Sequence, residues 1–342
     1  MKLEELQLGR KVGPSILPII IGAAVFSIST LIWIVNYFFP IITTASVTGD
    51  HDVTPGRWFV AFLVPVVFTA YGIRKKSLSK SGAVCALFVG FFLTISSYCF
   101  MMSLIVFFLT SSRATKFRSS RKRRFEEDFK EGGQRNWIQV ICNGGMATQL
   151  AILYLVDIGW GEKPIDFVLD HRASWLGTAV LGSLACANGD TWASELGTVI
   201  QTTTPRLITT FKKVPTGTNG GITLGGLIMS ALGGCAVGLG YYMTTIFVVD
   251  SAILERSPPQ WPLLIIGTIG GLLGSVIDSV LGATLQYSGK DSKGVIHEIP
   301  GPNITHISGV SLFDNHGVNL ISGILTALIL PKIAMLTWGC LR

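Results

Sequence analysis

Residues 261–287 read WPLLIIGTIGGLLGSVIDSVLGATLQY, a run in which Asp278 is the single charged side chain. About 20 predominantly apolar residues suffice to carry a helix across the hydrocarbon core of a bilayer, and this run exceeds that length. Comparable runs occupy 16–39, 57–73, 82–110, 137–157, 173–200, 221–249 and 317–338. The whole chain has the same character: 49% of its 342 residues are hydrophobic and only 14% are charged, against about 25% charged in a soluble domain. Such a chain lacks the polar surface to cover a globule in water. A membrane barrel would show ~10-residue segments of alternating polarity, which are missing here. Helices are the other way to satisfy every backbone group in lipid. The expected fold is therefore all-α, a polytopic transmembrane helical bundle forming a single integral membrane domain over 1–342.

The connecting loops orient the bundle, because Lys and Arg collect on the cytoplasmic side. Loop 74–81 holds Arg74, Lys75, Lys76 and Lys80 without an acid. Loop 113–136 carries Arg113, Lys116, Arg118, the run Arg121-Lys122-Arg123-Arg124, Lys130 and Arg135. Both read as cytoplasmic, yet they flank one apolar run, 82–110. As one helix that run would be ~44 Å long, so it divides near Ser96-Ser97 into two short crossings or a re-entrant pair. Eight apolar runs thus make nine segments. The alternation then closes with the N-terminus, 201–219 and 288–316 inside, and with 40–56, 158–172, 250–260 and the C-terminus outside. The sequon Asn303-Ile304-Thr305 is a check, since a glycan there would place 288–316 on the other side.

The net charge of +7 reads as basic loops facing anionic lipid and not as a nucleic-acid footprint. Residues 16–39 are too long and apolar for a cleaved signal core, and the acidic residues in MKLEELQLGRK speak against a transit peptide. The endoplasmic reticulum is the default location, and the oligomeric state stays open. Cys85, Cys99, Cys142, Cys186, Cys235 and Cys340 form no CxxC pair and read as small buried hydrophobes. Trp58, Trp137, Trp160 and Trp261 suit interfacial anchoring.

Ionisable groups in spanning runs are costly and mark functional candidates. Five polar clusters qualify: 131–137, 188–195, 211–221, 274–282 and 314–319. On the charge-derived topology all five fall toward the cytoplasmic ends of their segments, which fits a site for a cytosolic ligand. Asp278 and Gly282 share a helix face, so the glycine would let a bulky ligand approach. Asp190 and Glu195 would diverge by ~140° on a regular helix. Lys212 to Gly221 has the ingredients of a phosphate cradle ahead of a helix N-terminus, without the Gly-Lys-Thr/Ser ending of a P-loop. Acids facing such a cradle fit Mg²⁺, which takes one or two carboxylates plus phosphate oxygens. The bland readings are that Asp278 is a buried carboxylate paired with Lys or Arg, and that the glycines of 225–240 and 270–274 serve close helix packing.

The stretches EGGQRNWIQVICNGG (131–145), GDTWASELG (189–197), KVPTGTNGGIT (213–223), GSVIDSVLGATLQY (274–287) and DNHGVNL (314–320) together resemble the eukaryotic transmembrane protein 19 family. The likeness covers nearly the whole chain, and that family is similar to the phytyl-phosphate kinase of plant vitamin E salvage. More distantly, the GD-x-x-AS-x-x-G pattern followed by a Lys/Pro/Thr-Gly-Thr stretch looks like the CTP-dependent dolichol and phytol kinases and the phosphatidate cytidylyltransferases. The resemblance implies Mg²⁺ and CTP, with Asp190, Asp278 and Asp314 as metal or nucleotide ligands and Glu195 as a further catalytic acid. It implies phosphate contacts from Lys212, Lys213, Thr216, Gly217, Thr218 and Asn219; Arg135 and Asn136 complete the expected cofactor-binding set, with Arg135 expected to orient the acceptor phosphate. Dolichol-type kinases show Glu-Gly-Ser/Thr where this chain has Thr216-Gly217-Thr218, so one carboxylate of that pattern is absent.

The expected activity is transfer of a phosphoryl group from CTP to a membrane-embedded prenyl monophosphate, its tail lying between the Gly-rich helices. Such transfer needs positioning and charge neutralisation more than covalent help. The alternatives are a cytidylyltransferase acting on a lipid phosphate, a multi-pass transporter, whose charges would lie near the midplane, and a non-catalytic scaffold.

Overall fold

The computed structural model describes residues 53–117, 133–197 and 204–341. The apolar run 16–39, the Arg121–Arg124 cluster and Glu131 lie outside the described residues. The seven runs from 57 onward become α1 (Pro55–Arg74), α2 (Lys80–Ser96), α3 (Tyr98–Lys116), α4 (Trp137–Asp157), α5 (His171–Trp192), α6 (Leu224–Val248), α8 (Pro262–Leu285) and α9 (Asn315–Gly339), with the short α7 (Ser251–Arg256) in the loop before α8. Six of these (α1, α3, α4, α6, α8 and α9) are long and apolar enough to cross a membrane. The protein is a helical multi-pass membrane protein, with its small sheets confined to loops.

Local sequence explains the boundaries. The run 82–110 breaks at Ser97, where extended backbone (φ −158°, ψ 137°) ends α2 and the serine hydroxyl accepts the Cys99 amide to start α3. The division expected near Ser96-Ser97 is therefore present as two helices. Asn136 and Gln139 form a reciprocal capping box on α4, and such a box satisfies two of the amides that a helix start leaves open. One expectation fails: 173–200 does not continue as regular helix. It stops at Trp192 and opens into a π-helical turn, Ala193–Gly197.

The bundle is arranged around α5, which touches α3, α4, α6, α8 and α9. Its sequence is rich in Ala, Gly, Ser and Thr and poor in large apolar groups. Enclosure by other helices permits this, since little of α5 meets lipid. Small residues also let backbones approach, the usual packing device in membranes. A Cβ on Gly234 would come 2.2 Å from the Gly267 carbonyl, and one on Gly189 would lie 2.7 Å from the Gly271 Cα. The α6–α8 and α5–α8 contacts are thus backbone against backbone, which leaves no room for the lipid tail expected between them. Outward faces carry large apolar groups, among them Phe59, Phe62 and Val66 on α1, Ile228, Leu232 and Phe247 on α6, and Leu328 and Leu336 on α9.

The up-and-down order separates two faces. On one, α2, α4, α6 and α9 begin while α1, α3, α5 and α8 end. The loops here are built up into β1 (Arg206–Leu207) paired with β2 (Gly221–Ile222), and an antiparallel sheet in which β3 (Ser288–Lys290) lies between β4 (Ile296–His297) and β5 (Thr305–Ser308). On the opposite face Arg57 and Glu162 close the gap at Ser97. The guanidinium of Arg57 (4% exposed) meets both carboxylate oxygens of Glu162 (9% exposed) at 2.8 and 2.9 Å. It also donates to the Ile95 carbonyl ending α2, while Glu162 accepts the first amide of α3, from Tyr98, at 2.7 Å. Tyr98 and Trp160 stack against the same guanidinium, so Trp160 serves this plug in addition to any interfacial role.

Candidate functional site

Two carboxylates define the candidate site. Asp190 stands in the last turn of α5 and Asp278 in the last third of α8, both half-buried. They lie within electrostatic reach of each other. Among the described residues neither is paired with Lys or Arg, so the pairing considered for Asp278 does not occur. Ser322 of α9 donates to Asp278 Oδ2 at 3.2 Å. The Asn319 amide, turned as its neighbours require, donates to the same oxygen at 3.2 Å and to the Asn315 carbonyl at 3.0 Å, and its other end meets the Asn143 side chain at 3.3 Å. A polar track thus runs from α8 through α9 to α4.

Asp190 is positioned by its neighbour. Asn188 is fully buried and donates to the Gly233 carbonyl of α6 at 2.7 Å, while its oxygen accepts the Thr110 hydroxyl of α3 at 3.0 Å. Trp192 reaches the same hydroxyl at 3.3 Å. With Gly189 against Gly271, the end of α5 is held on three sides. Glu195 sits in the π-helical turn beyond it, so the angular separation of a regular helix does not describe the pair Asp190 and Glu195. Turns of this kind recur at functional sites.

The Lys212–Gly221 loop docks on α8 near Asp278. Gly220 has φ +75°, and a Cβ there would lie 2.4 Å from the Ala283 Cβ and 2.6 Å from the Ser279 carbonyl. The space expected beside Gly282 for a ligand is filled by this loop, since a Cβ on Gly282 would meet the Gly220 amide nitrogen at 3.2 Å. Asn219 fastens the loop to β3: its amide donates to Ser288 Oγ at 3.0 Å and its side chain to the Tyr287 carbonyl at 3.2 Å. Thr218 is buried and donates to the Pro215 carbonyl. Lys212, Lys213, Thr216 and Gly217 are exposed. The loop does not itself open a helix: β2 intervenes, and Thr223 caps α6 by accepting the Gly226 amide.

Arg135 and Asn136 stand just ahead of α4. The Arg135 guanidinium donates to Ser112 Oγ at 2.8 Å and Ser111 Oγ at 3.1 Å, and among the described residues no carboxylate neutralises it. Burial pulls it down to about 10, which leaves it charged at neutral pH. Asn136 is committed to its helix cap. Asp314 likewise caps α9, accepting the Gly317 amide at 2.8 Å. It stands apart from the pair: among the described residues no three His, Cys, Asp or Glu side chains gather as a metal cage.

Sequence reasoning found the charges but not their supports. Asn143, Asn319 and Ser322 were given no role of their own, although Gln139 and Asn143, and Asn315, Asn319 and Ser322, recur at the three- and four-residue spacing of one helix face. The Arg57–Glu162 plug was also missed, having no local signal across 105 residues.

No solved structure matches the chain. Protein PGR of Arabidopsis thaliana is 41% identical over 272 residues, covering 79% of this chain and 94% of that protein. An uncharacterized membrane protein of Methanocaldococcus jannaschii is 26% identical over 234 residues, covering 68% and 85%. One from Synechocystis is 28% identical over 183 residues, covering 53% and 61%. The model of Integral membrane protein DUF92 matches residues 63–327, which takes in α2 through α8, both carboxylates, the docked loop and Arg135, and the chain belongs to that family of integral membrane proteins.

Proposed function

We propose that this protein is a membrane-embedded, nucleotide-dependent phosphotransferase that uses CTP to phosphorylate a prenyl monophosphate at the cytoplasmic face. The observation that carries the reading is the pair Asp190 and Asp278, half-buried and without a protein cation among the described residues. Two such charges are costly unless a cation completes them. Their hard oxygen donors suit Mg²⁺, which draws one or two carboxylates from protein and the rest of its shell from phosphate and water. Bound there, the ion would neutralise nucleotide phosphate. Lys212 and Lys213, exposed on the loop docked beside Asp278, would take the outer phosphates. Ser322 donates to the Asp278 carboxylate, Asn188 anchors the turn of α5 that carries Asp190, and Arg135 would offer charge for the acceptor.

The test is turnover of labelled CTP by purified protein supplied with a prenyl monophosphate. Release of CDP with formation of a prenyl diphosphate is expected, and Asp190→Asn or Asp278→Asn should lower the rate about 10²–10³-fold, as loss of a charge-stabilising group does. Pyrophosphate as product would instead indicate cytidylyl transfer. If wild type neither binds nor consumes any nucleotide, the enzyme reading fails.

A further inference from the structure

The Gly-rich helices are closed to a lipid tail, but α1 to α4 are not. Between them lies an open-sided apolar cleft, walled by groups such as Pro65, Phe68, Ala86, Val89, Leu104 and Phe108. It extends from Leu78 on the loop-rich face to Thr94 and Met101, within about a turn of the opposite face. Apart from Thr69 and Thr94, its polar lining comes from Arg135, just ahead of α4, and from Gln139 and Asn143 on α4.

Arg135 is held in place. The Arg135 amide donates to the Ser77 carbonyl, its carbonyl accepts the Ser79 amide, both at 3.0 Å, and its guanidinium is steered by Ser111 and Ser112. A buried cation in the lining of an apolar cleft, with no acid against it among the described residues, matches one ligand shape: an anionic head on an apolar chain. The Asn143 side chain in the same lining lies 3.3 Å from the Asn319 side chain, which reaches Asp278. A head held at Arg135 is therefore one polar track away from the carboxylate pair.

We propose that the α1–α4 cleft is the binding slot for the tail of a single-chain lipid monophosphate, with Arg135 taking the phosphate. Its role as acceptor site rests on the function proposed above, whereas binding as such does not. One buried cation beside one apolar cleft answers one head and one chain, which sets this ligand apart from diacyl phospholipids.

The experiment uses the full chain in nanodiscs, without nucleotide or Mg²⁺, and a hexadecyl monophosphate carrying a diazirine near the tail end, with the matching alcohol as control. Photolabel is expected on α1 to α4, at residues such as Phe68, Leu104 and Phe108. Arg135→Gln should reduce labelling by the phosphate probe about tenfold, which corresponds to 1.4 kcal/mol, and leave the alcohol unchanged. Ala86→Phe, which fills the slot without touching Arg135, should block both probes and serves if Arg135→Gln fails to fold. Label on α6 or α8, label confined to residues 16–39, equal labelling in Arg135→Gln, or displacement by diacyl phosphatidate at equal concentration would each overturn the assignment. Failure of CTP turnover with slot labelling intact would remove the proposed activity alone. Turnover with the tail labelled elsewhere would remove the slot alone.

Discussion

Glu162 meets Arg57 with both oxygens and takes the first amide of α3 besides, so its removal strands a cation and opens a helix start together. Breaking a buried ion pair from one side costs about 3–5 kcal/mol, whereas replacing both partners with apolar groups is often near neutral. Glu162→Ala should therefore destabilise the protein by a few kcal/mol, and Arg57→Met with Glu162→Met by clearly less. Thermal unfolding of the detergent-solubilised variants measures both, and equal losses would count against the plug as an ion pair. The residues at this scale divide by how they announce themselves. Asp190 and Asp278 were legible because a charge in an apolar run has no ordinary excuse. Ser322 and Glu162 were not, since a serine in a spanning helix or a glutamate in a loop is commonplace until its partner 44 or 105 positions away is known.

Helices were largely legible, because bilayer thickness sets their length and the excess length of 82–110 forced a break that Ser97 supplies. Their partners were less so. Glycine stripes promise close contact without naming the neighbour, and the tail was consequently expected between α6 and α8, where carbonyl and Cα now fill the space. The Lys212–Gly221 segment was read as the approach to a helix, yet it is a docked loop, since Gly220 has the one φ and the one lack of Cβ that allow contact with Ala283. Gly220→Ala should undock it. The left-handed backbone costs an alanine roughly 1–2 kcal/mol, and the overlap with Ala283 adds about 1–3 kcal/mol. Trypsin should then cut after Lys212 or Lys213 several-fold faster while the helical content stays unchanged. Cleavage at the wild-type rate would mean that the loop is held by Asn219 alone.

At the scale of the molecule, the two faces differ in charge. The face that carries the candidate site also carries Arg74, Lys75, Lys76, Lys116, Arg206, Lys212 and Lys213, whereas on the other Asp157, Glu162, Asp166, Asp170, Asp250 and Glu255 outnumber Arg57, Lys163, Arg172 and Arg256. Lys and Arg bias the cytoplasmic side, and the same side must admit a cytosolic nucleotide if the proposed activity is right, so one orientation serves both demands. Lys332, exposed two turns before the end of α9, is long enough to snorkel to the outer interface. Cys340 lies at that end of α9 and is exposed, which makes it a native reporter. In cells with a selectively permeabilised plasma membrane, an impermeant maleimide should modify Lys213→Cys and spare Cys340 until the internal membranes are opened as well. Asn303, placed just before β5 on the site face, should remain without glycan although its sequon is intact. Labelling of Cys340 ahead of Lys213→Cys, together with a glycan at Asn303, would turn the bundle over, and the carboxylate pair would then face a compartment where a cytosolic nucleotide cannot reach it.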